Sequence, residues 1–158
     1  MNRILLFISL STFGLSTAIA GTSDDKKLAI KAITEIFLKR NPEAVDRYVV
    51  EEYIQHQPGL PNGRKPFKDY LKMLVTAFPD YSGEIESIVT EGDLVSFHFK
   101  WTGTHTGTFM GVPATGKKIS RRTADVLRMN SDGKITEHWG VVDQVEMLKE
   151  LGLLNPVM

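Results

Sequence analysis

The chain contains no cysteine, which excludes a disulfide framework, a thiolate nucleophile and any Cys-ligated zinc or iron–sulfur centre. It has no surplus of charge either: 19 Lys and Arg stand against 19 Asp and Glu in 158 residues. Phosphate binding is carried by excess cations, so nucleic acid is excluded as a default partner. No uninterrupted apolar run reaches the roughly 20 residues that a membrane span requires. The sequence also lacks a Gly-x-Ser-x-Gly elbow, a Walker loop and an Asn-x-Ser/Thr acceptor, and Gly103-Thr104-His105-Thr106-Gly107 has glycines without a dinucleotide-binding context. Repeats and low-complexity tracts are absent. What is present, 42% hydrophobic and 24% charged residues, is an ordinary globular composition, and the length suits one domain.

The first twenty residues depart from that average. Arg3 precedes an apolar stretch, Ile4 to Leu15, and Ala18-Ile19-Ala20 stands before Gly21. A positive start, a short apolar core and a small-x-small site are the layout of a secretory signal peptide. Cleavage after Ala20 would leave a domain of residues 21–158, with 18 basic and 19 acidic groups. No Cys follows the apolar core, so neither a lipid attachment nor a stable membrane anchor is expected. The chain then belongs in the periplasm or the medium of a bacterium.

Thr22-Ser23-Asp24 is a capping signal ahead of Leu28, Ile33, Ile36 and Phe37, and the spacing predicts a helix over Asp24 to Lys39. Asn41-Pro42 stops it and opens a short second helix to Tyr48. Val49 to Gln57 loses the helical period, and Pro58 to Gly63 reads as a loop. Phe67, Tyr70, Leu71, Leu74, Val75 and Phe78 form one stripe of a helix over Arg64 to Phe78. From Asp80 the period changes to two. Leu94 to Thr104 sets Val95, Phe97, Phe99 and Trp101 against Ser96, His98 and Lys100, and strand pattern resumes over Lys118 to Met129 and Lys134 to Val142 around an Asn130–Gly133 turn. The Gly107 to Gly116 segment is a long loop, and Gln144 to Leu154 is helical again. Helices first and a long antiparallel meander afterwards predict an α+β domain, a curved sheet closed by helices over a pocket for a small molecule.

Period two puts Thr123, Asp125, Leu127 and Met129 on one strand face. An acid among apolar neighbours loses water, which disfavours its charged form and tunes it for general acid or base work. Asp125 could equally pair with Arg121 or Arg122. The hairpin turn brings the next strand, with His138 and Gly140 on one face and Glu137, Trp139 and Val141 on the other, beside Asp125. A His–Asp pair serves as base and orienter, or as a buried hydrogen-bonded pair. His56 ends a strand-like segment at a loop, where binding residues concentrate, although a surface histidine also fits. None of the four histidines has a second ligand at helical or hairpin spacing, so no metal site is expected.

Three stretches carry a family resemblance: Tyr53-Ile54-Gln55-His56 with Pro58-Gly59 and Gly63, then Gly103 to Pro113 with Thr115-Gly116-Lys117, then Asp132-Gly133-Lys134-Ile135-Thr136-Glu137-His138-Trp139. Together they resemble the SnoaL-like polyketide cyclases, or ester cyclases, of the nuclear transport factor 2-like superfamily. The resemblance runs from Lys26 to Leu154 and implies a cone-shaped α+β barrel. It implies ring closure by intramolecular aldol condensation without metal or organic cofactor, a pocket carboxylate removing a proton alpha to a carbonyl. It also implies that this carboxylate directly follows the Trp of Glu-His-Trp. Here that position is Gly140, and Asp143, three residues on, lies on the opposite alternation. Homodimers are common in the superfamily, and the Phe97–Phe99–Trp101 stripe fits either such a contact or the core.

The expected catalytic residues are therefore Asp125, His138 and His56, and contacts to a small apolar molecule are expected from Tyr53, Thr123, Leu127, Phe109, Met110 and Trp139. Two readings stay open, a cofactor-free acid/base enzyme of the cyclase, isomerase or hydrolase type and an exported binding protein without chemistry.

Overall fold

The computed structural model describes residues 23–142 and 144–152. The leader and its cleavage site, Thr22 of the capping signal, Asp143 and Leu154 lie outside the described residues.

Helix α1 (Ser23–Ile33) continues into one π-helical turn, Thr34–Leu38, so the predicted first helix is present but widens over its last turn. After Asn41, whose side chain accepts from the Glu43 backbone N–H, a 3-10 turn over Pro42–Ala44 leads into α2 (Val45–Tyr48). Strand β1 (Val49–Gln55) follows, then α3 (Arg64–Ala77), which buries Phe67, Leu71, Leu74 and Ala77 at spacings of three and four. Strands β2 (Ser82–Glu91), β3 (Leu94–Thr104), β4 (Lys118–Met129) and β5 (Ile135–Val142) run on, with α4 (Gln144–Glu150) last.

The five strands lie in the order β1-β5-β4-β3-β2. β2 to β5 form the antiparallel meander that the alternation predicts, whereas β1 pairs with β5 in parallel, making the sheet mixed. Register shifts between Ile85 and Ser87, between Arg128 and Met129 and between Val49 and Ile54 interrupt three of the ladders. Such irregularities bend strands and raise their twist, and here they curve the sheet around the helices.

Val95, Phe97, Phe99 and Trp101 are all buried on the concave face of β3. The aromatic stripe is core, and a dimer contact through it is excluded. Its bulk is accommodated on the neighbouring strand, where a Cβ at Gly83 would run into the Phe99 ring. Phe78 joins the layers at the end of α3, packing edge-on against Trp101 and Phe109 and stacking on His105.

Candidate functional site

Between the concave sheet face and the helices lies a cavity walled by aromatic rings, among them Phe37, Phe67, Phe97, Phe99 and Trp101, and rimmed by Pro58, Leu60, Met110 and Met147. Its polar end is built by β4 and β5. Asp125 and Gly140 are directly opposite in the ladder, and Leu127 faces His138 one step along, so both Asp125 and His138 point inward from adjacent strands. Their side chains are 13% and 9% exposed, and His138 Nε2 lies 2.9 Å from Asp125 Oδ1. Thr123, two residues before Asp125 on the same face, donates its hydroxyl to Oδ2. Asp125 thus pairs with a histidine and not with a neighbouring arginine. Arg121 Nε is 3.5 Å from Glu150 Oε2, and Arg122 is held on the exposed side by Glu86 at 3.0 Å.

The neighbouring groups fix the state of the histidine. Gln55 Oε1 accepts from the Gln57 backbone N–H at 3.0 Å, which turns the amide nitrogen toward the Tyr53 hydroxyl and His138 Nδ1, each 3.1 Å away. An amide N–H facing Nδ1 needs a lone pair there, so the ring proton sits on Nε2 and is donated to Asp125. The result is a continuous run, Tyr53–Gln55–His138–Asp125–Thr123, ending in a carboxylate that accepts one hydrogen bond on each oxygen and keeps a lone pair on each for a further partner.

Position 140 is spoken for. A Cβ there would lie 2.8 Å from Gln57 Oε1 and 3.1 Å from both Asp125 Oδ1 and His138 Cε1. The glycine leaves room for the pair and for Gln57, which reaches in from the loop after β1.

Of the expected site residues, Asp125, His138, Thr123, Phe109 and Met110 meet at this cavity. Tyr53 and Leu127 are buried behind its wall, Tyr53 through the Gln55 contact. His56 and Trp139 require correction. They lie on the outer face of the sheet, rings stacked 4.2 Å apart and nearly parallel, with His56 Nε2 2.8 Å from Glu137 Oε2. Arg128 extends this surface group, 2.9 Å from Glu137 and 2.6 Å from Asp93. Strand alternation carries the reason: Tyr53 and Gln55 face inward, so His56 faces out, and Trp139 alternates against His138. Gln55, Gln57, Tyr70 and Tyr81 also border the cavity and were not anticipated. The alternation of Gln55 with Tyr53 marks the first, while Tyr70 is hidden within an apolar helical stripe.

The family model described as SnoaL-like polyketide cyclase matches residues 27–151. The chain is 27% identical over 130 residues to the aklanonic acid methyl ester cyclase DauD of Streptomyces sp. (strain C5), covering 78% of this chain and 79% of that protein. IdmH of Streptomyces antibioticus superimposes with a TM-score of 0.67 at 30% identity, over 81% of this chain and 98% of that one. TsrD of Streptomyces laurentii, at 21% identity, shares the fold with a TM-score of 0.75 over 85% and 99% of the two chains.

Proposed function

Because this chain belongs to the SnoaL-like polyketide cyclase family and so carries a small-molecule-binding, cyclase-type domain, we propose that it is a cofactor-independent acid/base enzyme with Asp125 as its base. The observation that carries this reading is the carboxylate held by His138 and Thr123 at the polar end of an otherwise aromatic cavity. Its substrate is a small apolar carbonyl compound. Asp125 takes a proton from the carbon alpha to the carbonyl; the C–H electron pair moves into the new C=C bond and the carbonyl pair onto oxygen. The enolate carbon then attacks a second carbonyl of the same molecule, whose oxygen takes the proton back from Asp125; in a β,γ-unsaturated ketone the dienolate instead takes that proton at its γ carbon. His138, already donating to Asp125 and bound at Nδ1 by Gln55, is a positioning residue. It keeps the carboxylate aimed and supports its charge before transfer. His56, on the outer face, has no part in this chemistry.

A binding protein without chemistry is the second reading, favoured by Gly140 at the position where the resemblance implies the carboxylate. A turnover screen on cyclic ketones, lactones and epoxides separates the two. The first reading expects turnover of a ketone or lactone that falls about 10²- to 10⁴-fold in Asp125→Asn, the usual worth of a positioned acid or base. Unchanged turnover in the variant overturns the assignment, and tight binding without turnover favours the binding protein.

The proposal includes export, supported by the leader layout of residues 1–20. Mass spectrometry of the protein from the periplasm or medium should find a chain beginning at Gly21. Recovery only from cytoplasm, with Met1 retained, contradicts it.

A further inference from the structure

We propose that Tyr70 and Tyr81 form a pair of hydroxyl donors that holds the substrate's carbonyl oxygen, which makes the ligand a flat, largely apolar ketone or ester whose acidic C–H faces Asp125. This rests on the reading of Asp125 as the base. Tyr70 comes from α3, its ring 6.1 Å from Phe109, and Tyr81 precedes β2, its ring 5.2 Å from Trp101 and 6.4 Å from Phe99. Both line the cavity, and Tyr81 is only 4% exposed.

Tyrosine hydroxyls in such places ordinarily find a hydrogen-bond partner. Tyr53, behind the wall, has Gln55. The Tyr70 and Tyr81 hydroxyls have none among the described residues, which leaves two donors bordering the cavity. The remaining walls are mainly aromatic and aliphatic, so a ligand acceptor that enters has the Tyr70 and Tyr81 hydroxyls to meet besides the group around Asp125.

Electrostatics supports the same division of labour. Burial, and after it the Asp125 charge, pushes the Tyr70 phenol up to about 12, and burial, then Tyr70, then Asp125 raise Tyr81. Both side chains line the same cavity, and Tyr70 is felt at Tyr81. Both therefore stay protonated as donors. When Asp125 takes up the proton its charge disappears and a negative charge grows on the carbonyl oxygen. The field opposing phenol acidity is removed just as the acceptor strengthens, so both hydrogen bonds tighten in the transition state more than in the ground state.

The test uses 4-nitrophenolate, whose visible absorption reports its ionisation, as a mimic of the enolate oxygen. It is bound to Asp125→Asn, which imitates the protonated carboxyl. The proposal expects binding as the phenolate, weakened about tenfold or more by adding Tyr70→Phe or Tyr81→Phe, the loss expected when a hydrogen bond to a charged group is removed. 4-Nitroanisole, which carries no oxyanion, should bind all three proteins alike. Equal phenolate affinity with and without the tyrosine hydroxyls overturns the proposal, as does an equal loss for phenolate and anisole, which marks mere packing. If a Phe variant does not fold, 3-fluorotyrosine incorporated into Asp125→Asn replaces it. The fluorine resonances of Tyr70 and Tyr81 should move on phenolate binding, and unmoved resonances overturn the pair. None of these readouts depends on Asp125 acting as a base, so failure of that role shows separately as turnover unaffected by Asp125→Asn.

Discussion

Gly140 faces Asp125 across the β4–β5 ladder, and the space that its side chain would fill is bounded by the Gln57 amide, the Asp125 carboxylate and the His138 ring. Its backbone is not in the left-handed region, so an alanine meets steric resistance alone. Gln57 can swing aside, while Asp125 and His138 are tied to each other and to Thr123 and Gln55. Gly140→Ala should therefore cost only about 1–3 kcal/mol of stability, the range for overpacking, yet displace the carboxylate enough to lower turnover more than about tenfold. Chemical denaturation beside a rate measurement checks both, and an alanine variant with wild-type turnover would contradict the crowding. At this scale the sequence was legible where alternation was followed: Asp125 and His138 were readable as inward-facing neighbours. His56 offers the chemistry at a strand end, whereas its neighbour Gln55 has the inward register. The Gln55 amide that fixes the histidine tautomer comes from a strand 83 residues away in sequence, a contact that no local pattern encodes.

Among the elements, the loop from β3 to β4 decides how the cavity is closed. Its base is sealed by His105 and Lys117: His105 N–H donates to the Lys117 carbonyl and Gly116 N–H to the His105 carbonyl, each at 2.9 Å. Ala77 at the end of α3 accepts from the Thr106 and Gly107 N–H groups, and Gly107 packs so closely there that a Cβ would come within 2.9 Å of the Thr76 carbonyl oxygen. The loop then delivers Phe109 into the cavity, with Met110 in the left-handed region at φ 48° on the rim. The His105 ring is wholly buried against Phe78, with Nδ1 3.1 Å from the Thr115 hydroxyl. Burial holds it below its ordinary value of 6.5, since a charged ring there would lose its water. The unfolded chain thus takes up this proton at a higher pH than the folded one. The stability that His105 contributes is present above 6.5 and is lost as pH falls below that value toward the folded one, at no more than about 1.4 kcal/mol per pH unit. Unfolding free energies between pH 7.5 and 5 should show this slope, and His105→Gln should flatten it; an identical slope in the variant would reject the assignment. The Gly, Pro and Thr content marks the loop in the sequence, whereas the burial of His105 is not legible there, because it depends on α3 and Phe78 arriving from elsewhere in the chain.

For the whole molecule, curvature and enclosure were legible before the topology was complete. The helical stripe of α3 and the period-two run of β3 specify which faces must be buried, and two such faces packed together make the α+β domain. The parallel pairing of β1 with β5 was not legible, because it joins segments about 80 residues apart and β1 could have served either edge of the sheet. That pairing brings Gln55 to His138 and thereby completes the polar end of the cavity. The central claim is that this end removes a proton from a carbon acid. Exchange of the α-protons of cyclohexanone for deuterium in D2O, followed by proton NMR, tests it without knowledge of the natural substrate. The account predicts that the wild-type protein accelerates exchange over buffer and that Asp125→Asn loses at least about 10²-fold of that acceleration. Bound cyclohexanone that does not exchange, or acceleration that survives Asp125→Asn intact, would contradict it.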